Sequence, residues 1–246
     1  MPVDEGTASG WTSEEAERNG YVERSFSLAS EMTGGAIPGL YRTPTGPAAE
    51  RLVLLGHGGR TDKHVDYLVG VSALLAERGI ASLVIDGPGH GDRALFEFTD
   101  RPDEFTEAWD RGGGTAAVIA DWRTALDFAE GQFGARPTGW WGLSMGTMMG
   151  LPVCATEERI RIAVLGLMGT WGPNRHDLEE SAPRIRIPLR FLVQWDDEVV
   201  PRQRCLDLFT MLGSTKKTLH ANPGAHSAVP LFESVASVDY LDHLLR

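Results

Sequence analysis

Three features of the 246-residue chain predict an α/β fold built on a mostly parallel sheet of about eight strands. Runs such as Leu52-Val53-Leu54-Leu55 and Ile80-Ala81-Ser82-Leu83-Val84-Ile85 are apolar at odd and even positions alike, as a strand covered on both faces requires. These runs alternate with segments of helical spacing through short connections, which is the βαβ pattern with its right-handed crossover. Turn-rich loops carrying Ser, His and Asp follow the strands, and in such a sheet the carboxyl ends of the strands share one rim.

Taken in order, residues 1–20 read as a loose or partly helical lead-in and residues 21–246 as one α/β domain. Tyr21 to Leu28 alternates apolar and polar, the period of a half-buried strand, and Ile37 to Tyr41 reads as its hairpin partner. Pro38 suits an edge strand. Arg51 to Leu55 is a buried strand, Val65 to Arg78 a helix stopped by Gly79, and Ile80 to Ile85 the next strand. Residues 93–114 lose clear periodicity and read as a functional loop or small lid. Thr115 to Glu130 resumes as a helix. Pro137 to Gly142 is a short buried strand, Met145 to Ala155 a helix and Ile160 to Leu167 a strand. Residues 169–186 form a second lid-like stretch. Ile187 to Gln194 is a strand, Arg202 to Leu212 a helix, Lys216 to His220 the last strand and Ala228 to Leu245 the closing helix.

Composition narrows the function. The balance of 23 basic against 34 acidic residues gives a net charge of −11, which repels nucleic acid and anionic membrane surfaces. The first 20 residues lack a basic stretch followed by an apolar one, and no apolar run approaches the ~20 residues needed to span a bilayer. Cys154 and Cys205 have no neighbouring Cys or His at metal-ligand spacing and read as two buried thiols in a reducing cytoplasm, with a disulfide between them left open. A cytoplasmic protein acting on a small molecule is expected, with a homo-oligomer left open.

The chemistry centres on Gly142-Leu143-Ser144-Met145-Gly146. This Gly-x-Ser-x-Gly match lies between a predicted strand and a predicted helix, where a tight turn strains the serine backbone and lifts its hydroxyl. Glycines are needed on either side because a Cβ would meet neighbouring backbone. Downstream come an acidic loop, Trp195-Asp196-Asp197-Glu198, and a turn-rich loop, Asn222-Pro223-Gly224-Ala225-His226. A serine hydroxyl becomes a competent nucleophile when a base within hydrogen-bond reach takes its proton, and the base needs a carboxylate to fix its tautomer.

With this order of serine, acid and histidine, the chain from about Tyr21 onward resembles the α/β-hydrolase fold family, in its serine esterase and dienelactone-hydrolase-like branch. The resemblance implies Ser144 as nucleophile, His226 as base and an aspartate four residues before a proline as the acid. Asp197 meets that spacing from Pro201 and Asp196 misses it by one. It further implies an oxyanion site made by the backbone amides of Met145 and of Gly59, the latter in His57-Gly58-Gly59. Cysteine is the nucleophile of dienelactone hydrolases proper, so the serine here departs from them.

His57 reads as a loop-shaping residue and His90 as part of the Asp86-to-Asp92 turn. Leu143, Trp109, Trp171, Trp195 and His57 are the candidate substrate-binding residues, and Trp140 and Trp141 read as core or pocket floor. An aromatic lining favours an apolar acyl or aromatic group. His64, His176, His220 and His243 have no partners at metal spacing, and neither a dinucleotide fingerprint nor a P-loop appears, so no metal or cofactor is expected. The expected activity is hydrolysis of a carboxylic ester through an acyl-enzyme. The alternatives are a thioesterase, an acyl-peptidase or a carbon–carbon hydrolase with the same triad, and a ligand-binding relative without turnover.

Overall fold

The computed structural model describes residues 9–18, 20–99 and 101–246. Its elements in chain order are β1 (Gly10–Trp11), β2 (Ala16–Arg18), β3 (Tyr21–Ala29), β4 (Ala36–Pro44), β5 (Arg51–Gly56), α1 (Asp66–Ala76), β6 (Ile80–Ile85), α2 (Glu104–Arg111) and α3 (Gly114–Phe133). There follow β7 (Thr138–Gly142), α4 (Met145–Thr156), β8 (Ile160–Gly166), α5 (Arg175–Ser181), β9 (Leu189–Gln194), α6 (Arg202–Met211), β10 (Lys217–Asn222) and α7 (Leu231–Leu244).

The sheet runs β1-β3-β4-β6-β5-β7-β8-β9-β10, with β2 paired to the start of β3. The steps from β6 to β10 are parallel, and β4 is antiparallel to both β3 and β6. Among the described residues the sheet thus has ten strands, about eight from Tyr21 onward and two more from the lead-in. The expectation of a loose or helical lead-in is corrected for residues 10–11 and 16–18, which are strands, and falls outside the described residues for 1–8. Trp11 explains the pairing of β1, since its ring packs edge-on against Phe26, Tyr41 and Phe128 at centroid distances of 5.0–6.2 Å.

Pro38 does not mark an edge. β4 lies inside the sheet, and Pro38 sits just outside its register with β6, which begins at the Gly39–Ile85 pair. The Pro38 carbonyl still accepts from Asp86 N–H at 3.1 Å, so the missing N–H forfeits just the reciprocal bond of that pair, at the very end of the ladder.

Successive strand residues face opposite layers, which sorts the apolar runs into two cores. Leu52, Leu54, Trp140, Leu165 and Phe191 pack beneath α3, α4 and α6, whereas Val53, Leu55, Trp141, Ile162 and Val164 pack beneath α1 and α7. The stretch 93–114, expected to be irregular, contains α2. Its buried residues Glu104, Ala108 and Trp109 lie on one helical face, and Trp109 joins the core beside Val118 and Trp122. The stretch 169–186 likewise contains α5.

Pro152 explains how that second stretch is fastened. A proline inside α4 cannot donate to the carbonyl of Met148 one turn back, and the side chain of Asn174 donates to that carbonyl instead, at 3.0 Å.

Candidate active site

Ser144 is placed by backbone geometry. It has φ 56° and ψ −120°, a left-handed conformation that a non-glycine residue keeps when its surroundings enforce it. The enforcement comes from packing on both sides. A Cβ on Gly146 would lie 2.3 Å from the Gly56 carbonyl oxygen, and one on Gly142 would lie 2.7 Å from the Gly146 carbonyl oxygen. The elbow is also tied to the end of β8: Ser144 N–H donates to Gly166 O at 2.9 Å, and the Thr147 hydroxyl accepts from Gly166 N–H at 2.8 Å.

His226 and Asp197 arrive from the loops after β10 and β9. The Ser144 hydroxyl donates to His226 Nε2 at 2.9 Å, and His226 Nδ1–H donates to Asp197 Oδ2 at 2.7 Å. The carboxylate accepts only, which assigns the tautomer. The second oxygen of Asp197 accepts from the N–H groups of Val199 and Val200 at 2.8 and 2.7 Å, so the acid is itself fixed. Its side chain is 1% exposed against 16% for the His226 ring. Asp196 points elsewhere and accepts from Gly224 N–H at 3.0 Å.

The amides of Gly59 and Met145 donate to nothing among the described residues. Met145 is the first residue of α4, so its N–H has no carbonyl one turn back and sits at the positive end of the helix dipole. Two preorganised donors of this kind suit a developing oxyanion. The glycine at 59 is required by its neighbour, since a Cβ there would lie 2.8 Å from the Phe105 ring.

His57 shapes this loop from beneath. Gly87 N–H donates to its Nε2 at 2.8 Å, so Nδ1 carries the proton and donates to Gly58 O at 2.8 Å. Complete burial holds its pKa below the ordinary histidine value. His90 stands beside it with ring centroids 5.7 Å apart. Its Nδ1–H donates to Pro88 O at 2.7 Å, while the buried Nε2 has no partner among the described residues. Burial pushes the His90 pKa down to about 4, with His57 adding to the shift. Lys63 closes the same layer, bridging Asp86 at 2.6 Å and Asp92 at 2.7 Å and so joining the loops after β5 and β6.

A cavity of about 260 Å3 opens at the serine, lined by Gly59, Leu143, Ser144 and His226 together with Tyr67, Trp141, Leu167 and Val229. Of the candidate substrate-binding residues, Leu143 lines it and four do not. His57 is 0% exposed beneath the loop and Trp109 is 2% exposed in the core. Trp171 lines a separate groove with Phe105 and Arg204. Trp195 faces outward, with the Arg202 guanidinium 4.2 Å over its ring. The irregular stretches therefore do not supply the cavity wall. Tyr67, Leu167 and Val229 do, and none of them was singled out in the sequence. Leu167 carries one local signal, a positive φ of 52° just past β8, which sequence does not reveal.

Cys154 and Cys205 are free and buried, and burial pushes the Cys205 thiol up to about 12. Among the described residues, no group of three or more His, Cys, Asp or Glu side chains is arranged to hold a metal ion, and no helix is long and apolar enough to cross a membrane.

No protein-family model and no curated protein sequence matches the chain. Solved structures do. A polyethylene-glycol complex of a cold-adapted esterase from an Arctic intertidal metagenomic library is 52% identical, covering 96% of this chain and 99% of that one, with a TM-score of 0.90. An acetyl xylan esterase from Paenibacillus sp. R4 is 18% identical over 97% of this chain and 89% of its own, with a TM-score of 0.73. A dienelactone hydrolase from Anabaena variabilis is 19% identical over 90% and 94%, with a TM-score of 0.60. The last two share the fold.

Proposed function

The chain belongs to the esterases of the α/β-hydrolase superfamily, and from that premise we propose that it cleaves a carboxylic ester of a small or medium substrate through an acyl-enzyme on Ser144. The observation that carries this reading is the unbroken relay from Ser144 Oγ to His226 Nε2 at 2.9 Å and from His226 Nδ1 to Asp197 at 2.7 Å, at the mouth of a cavity.

Each step follows from these contacts. Ser144 Oγ attacks the ester carbonyl as its proton passes to His226 Nε2, and the resulting imidazolium is balanced by Asp197. The carbonyl oxygen, now an anion, accepts from the amides of Gly59 and Met145; removal of one such donor typically costs about 3 kcal/mol. His226 returns the proton to the departing alcohol, which leaves the acyl group on Ser144. Water then repeats the sequence with His226 as base and frees the acid.

The cavity bounds one side of the ester. An apolar cavity of ~150 Å3 holds benzene, and about 260 Å3 walled by Trp141, Leu143, Leu167 and Val229 holds an apolar or aryl group somewhat larger. The two unpaired buried thiols fit a reducing compartment, and we assign the enzyme to the cytoplasm. The test is labelling of Ser144 by a fluorophosphonate together with turnover of p-nitrophenyl acetate. Wild-type protein that does neither sinks the proposal and returns the chain to a ligand-binding role.

A further inference from the structure

Three consecutive carboxylates follow β9, and each holds a different atom of the loop that carries His226. Asp196 exchanges two bonds with Gly224: its N–H donates to the Gly224 carbonyl at 3.1 Å, and its Oδ2 accepts from the Gly224 N–H at 3.0 Å. Asp197 holds the imidazole ring at 2.7 Å. Glu198 Oε2 accepts from the backbone N–H of His226 itself at 2.9 Å. From inside β9, the Gln194 amide adds bonds to the carbonyls of Ala225 and Ala228 at 3.1 and 3.0 Å.

An acidic run at a loop is usually a solvated face, and a solvated run would leave its carboxylates turned to water. Here all three are turned onto one five-residue loop. The N–H of His226 holds the Glu198 carboxyl below the usual carboxylate range, in keeping with that contact. The three contacts also divide the work of aiming a ring. Asp197 fixes its rotation, whereas Glu198 and Asp196 fix the backbone from which it hangs. Reaction rate is sensitive to such placement, since an error of ~1 Å at a reacting group can cost about 100-fold.

We propose that Glu198 and Asp196 are positioning residues that hold His226 in line with Ser144 through the backbone of residues 224–226. The proposal rests on the reading of Ser144, His226 and Asp197 as the reacting relay. Both side chains lie at the surface, so their removal is expected to act on the rate rather than on folding.

The experiment compares E198A, E198Q and D196A with wild type on p-nitrophenyl acetate, with fluorophosphonate labelling rate and thermal unfolding measured beside it. Glutamine keeps an oxygen that can accept from His226 N–H, and alanine does not. E198A is expected to lower kcat and the labelling rate together by about 10-fold, with KM within about twofold and the unfolding temperature nearly unchanged. E198Q is expected to regain most of that loss, and D196A to fall in the same direction as E198A. E198A that turns over and labels at the wild-type rate overturns the proposal, as does E198Q that falls as far as E198A. If E198A is too unstable to assay, E198Q alone decides, because a rate far below wild type refutes the hydrogen-bond basis. Wild type that neither labels nor turns over overturns the relay itself, a result distinct from all of these.

Discussion

His57 follows β5 and His226 follows β10, so both stand at carboxyl ends of parallel strands, yet their rings are held in opposite ways. His57 is fully buried and gives both nitrogens to backbone, Nε2 to the Gly87 N–H and Nδ1–H to the Gly58 carbonyl. His226 keeps part of its ring exposed and gives its nitrogens to side chains, Asp197 on one and Ser144 on the other. A base in this chemistry takes a proton at Nε2 and returns it within one turnover. The Nε2 of His57 cannot do so without losing the bond from Gly87, and the protonated ring would be a buried cation. Place on the rim is thus shared between the two histidines, and the partner of Nε2 separates them.

The sharpest way to break this comparison is to remove the relay. S144A or H226A is expected to lower kcat by between about 10,000- and 1,000,000-fold, since members of such a unit lose most of the effect singly. D197N should cost about 10,000-fold by favouring the wrong tautomer. The measurement is turnover of p-nitrophenyl acetate with circular dichroism to confirm folding. A D197N variant close to wild type would mean that another acid orients the ring. H57A should fail differently. It deletes a buried ring and two hydrogen bonds, for a loss of about 3 kcal/mol in urea unfolding, and its residual activity should follow the folded fraction.

The buried pair also predicts a pH dependence of stability. His90 in the unfolded chain takes its proton as the pH falls through about 6.5, whereas the folded protein refuses it until about 4. The unfolded state therefore binds more protons in that window. Stability is complete above about pH 6.5 and declines toward pH 4, by about 3 kcal/mol at most. His57, shifted in the same direction, adds to the slope. Urea unfolding at pH 7 and pH 4.5 measures it, and H90Q should flatten part of the dependence. A variant with the wild-type slope would assign the effect elsewhere.

Residue type and spacing made the hydrogen-bonded contact of Ser144, His226 and Asp197 legible in the sequence, because the chemistry proposed for them admits few substitutes. The central strands were legible for a related reason: Val53 and Leu54 face different cores, so both have to be apolar. Pairing of the lead-in was not legible, because a two-residue strand at Gly10–Trp11 depends on aromatic partners distant in sequence. The helix α2 left a signal that charged neighbours obscured, namely Phe105, Ala108 and Trp109 at helical spacing. Of the cavity wall, Leu143 and Trp141 beside the elbow were legible and the rest left no signal. Tyr67, Leu167 and Val229 are residue types found in any core, and they meet at the serine because the start of α1, the end of β8 and the loop before α7 lie on the same rim.

That contrast between wall and surround supplies the smallest predicted effect. Trp171 and Trp195 are large, about half exposed and sited in the loops after β8 and β9, so sequence alone makes them natural pocket residues. Neither touches the cavity at Ser144. W171A and W195A should each leave kcat/KM for p-nitrophenyl acetate and butyrate within about twofold, in the range of surface substitutions worth up to about 0.5 kcal/mol. Val229 lines the cavity, and V229W should fill part of the about 260 Å3 that is open there. Its kcat/KM for butyrate should fall relative to acetate by about 10-fold or more, as expected when a pocket loses room for added methylenes at about 1–3 kcal/mol. The pair of measurements works as a map. If W171A shifts the butyrate-to-acetate ratio and V229W does not, the substrate lies along the groove beside Phe105 and Arg204, and the cavity at Tyr67 and Leu167 is not where the acyl group sits.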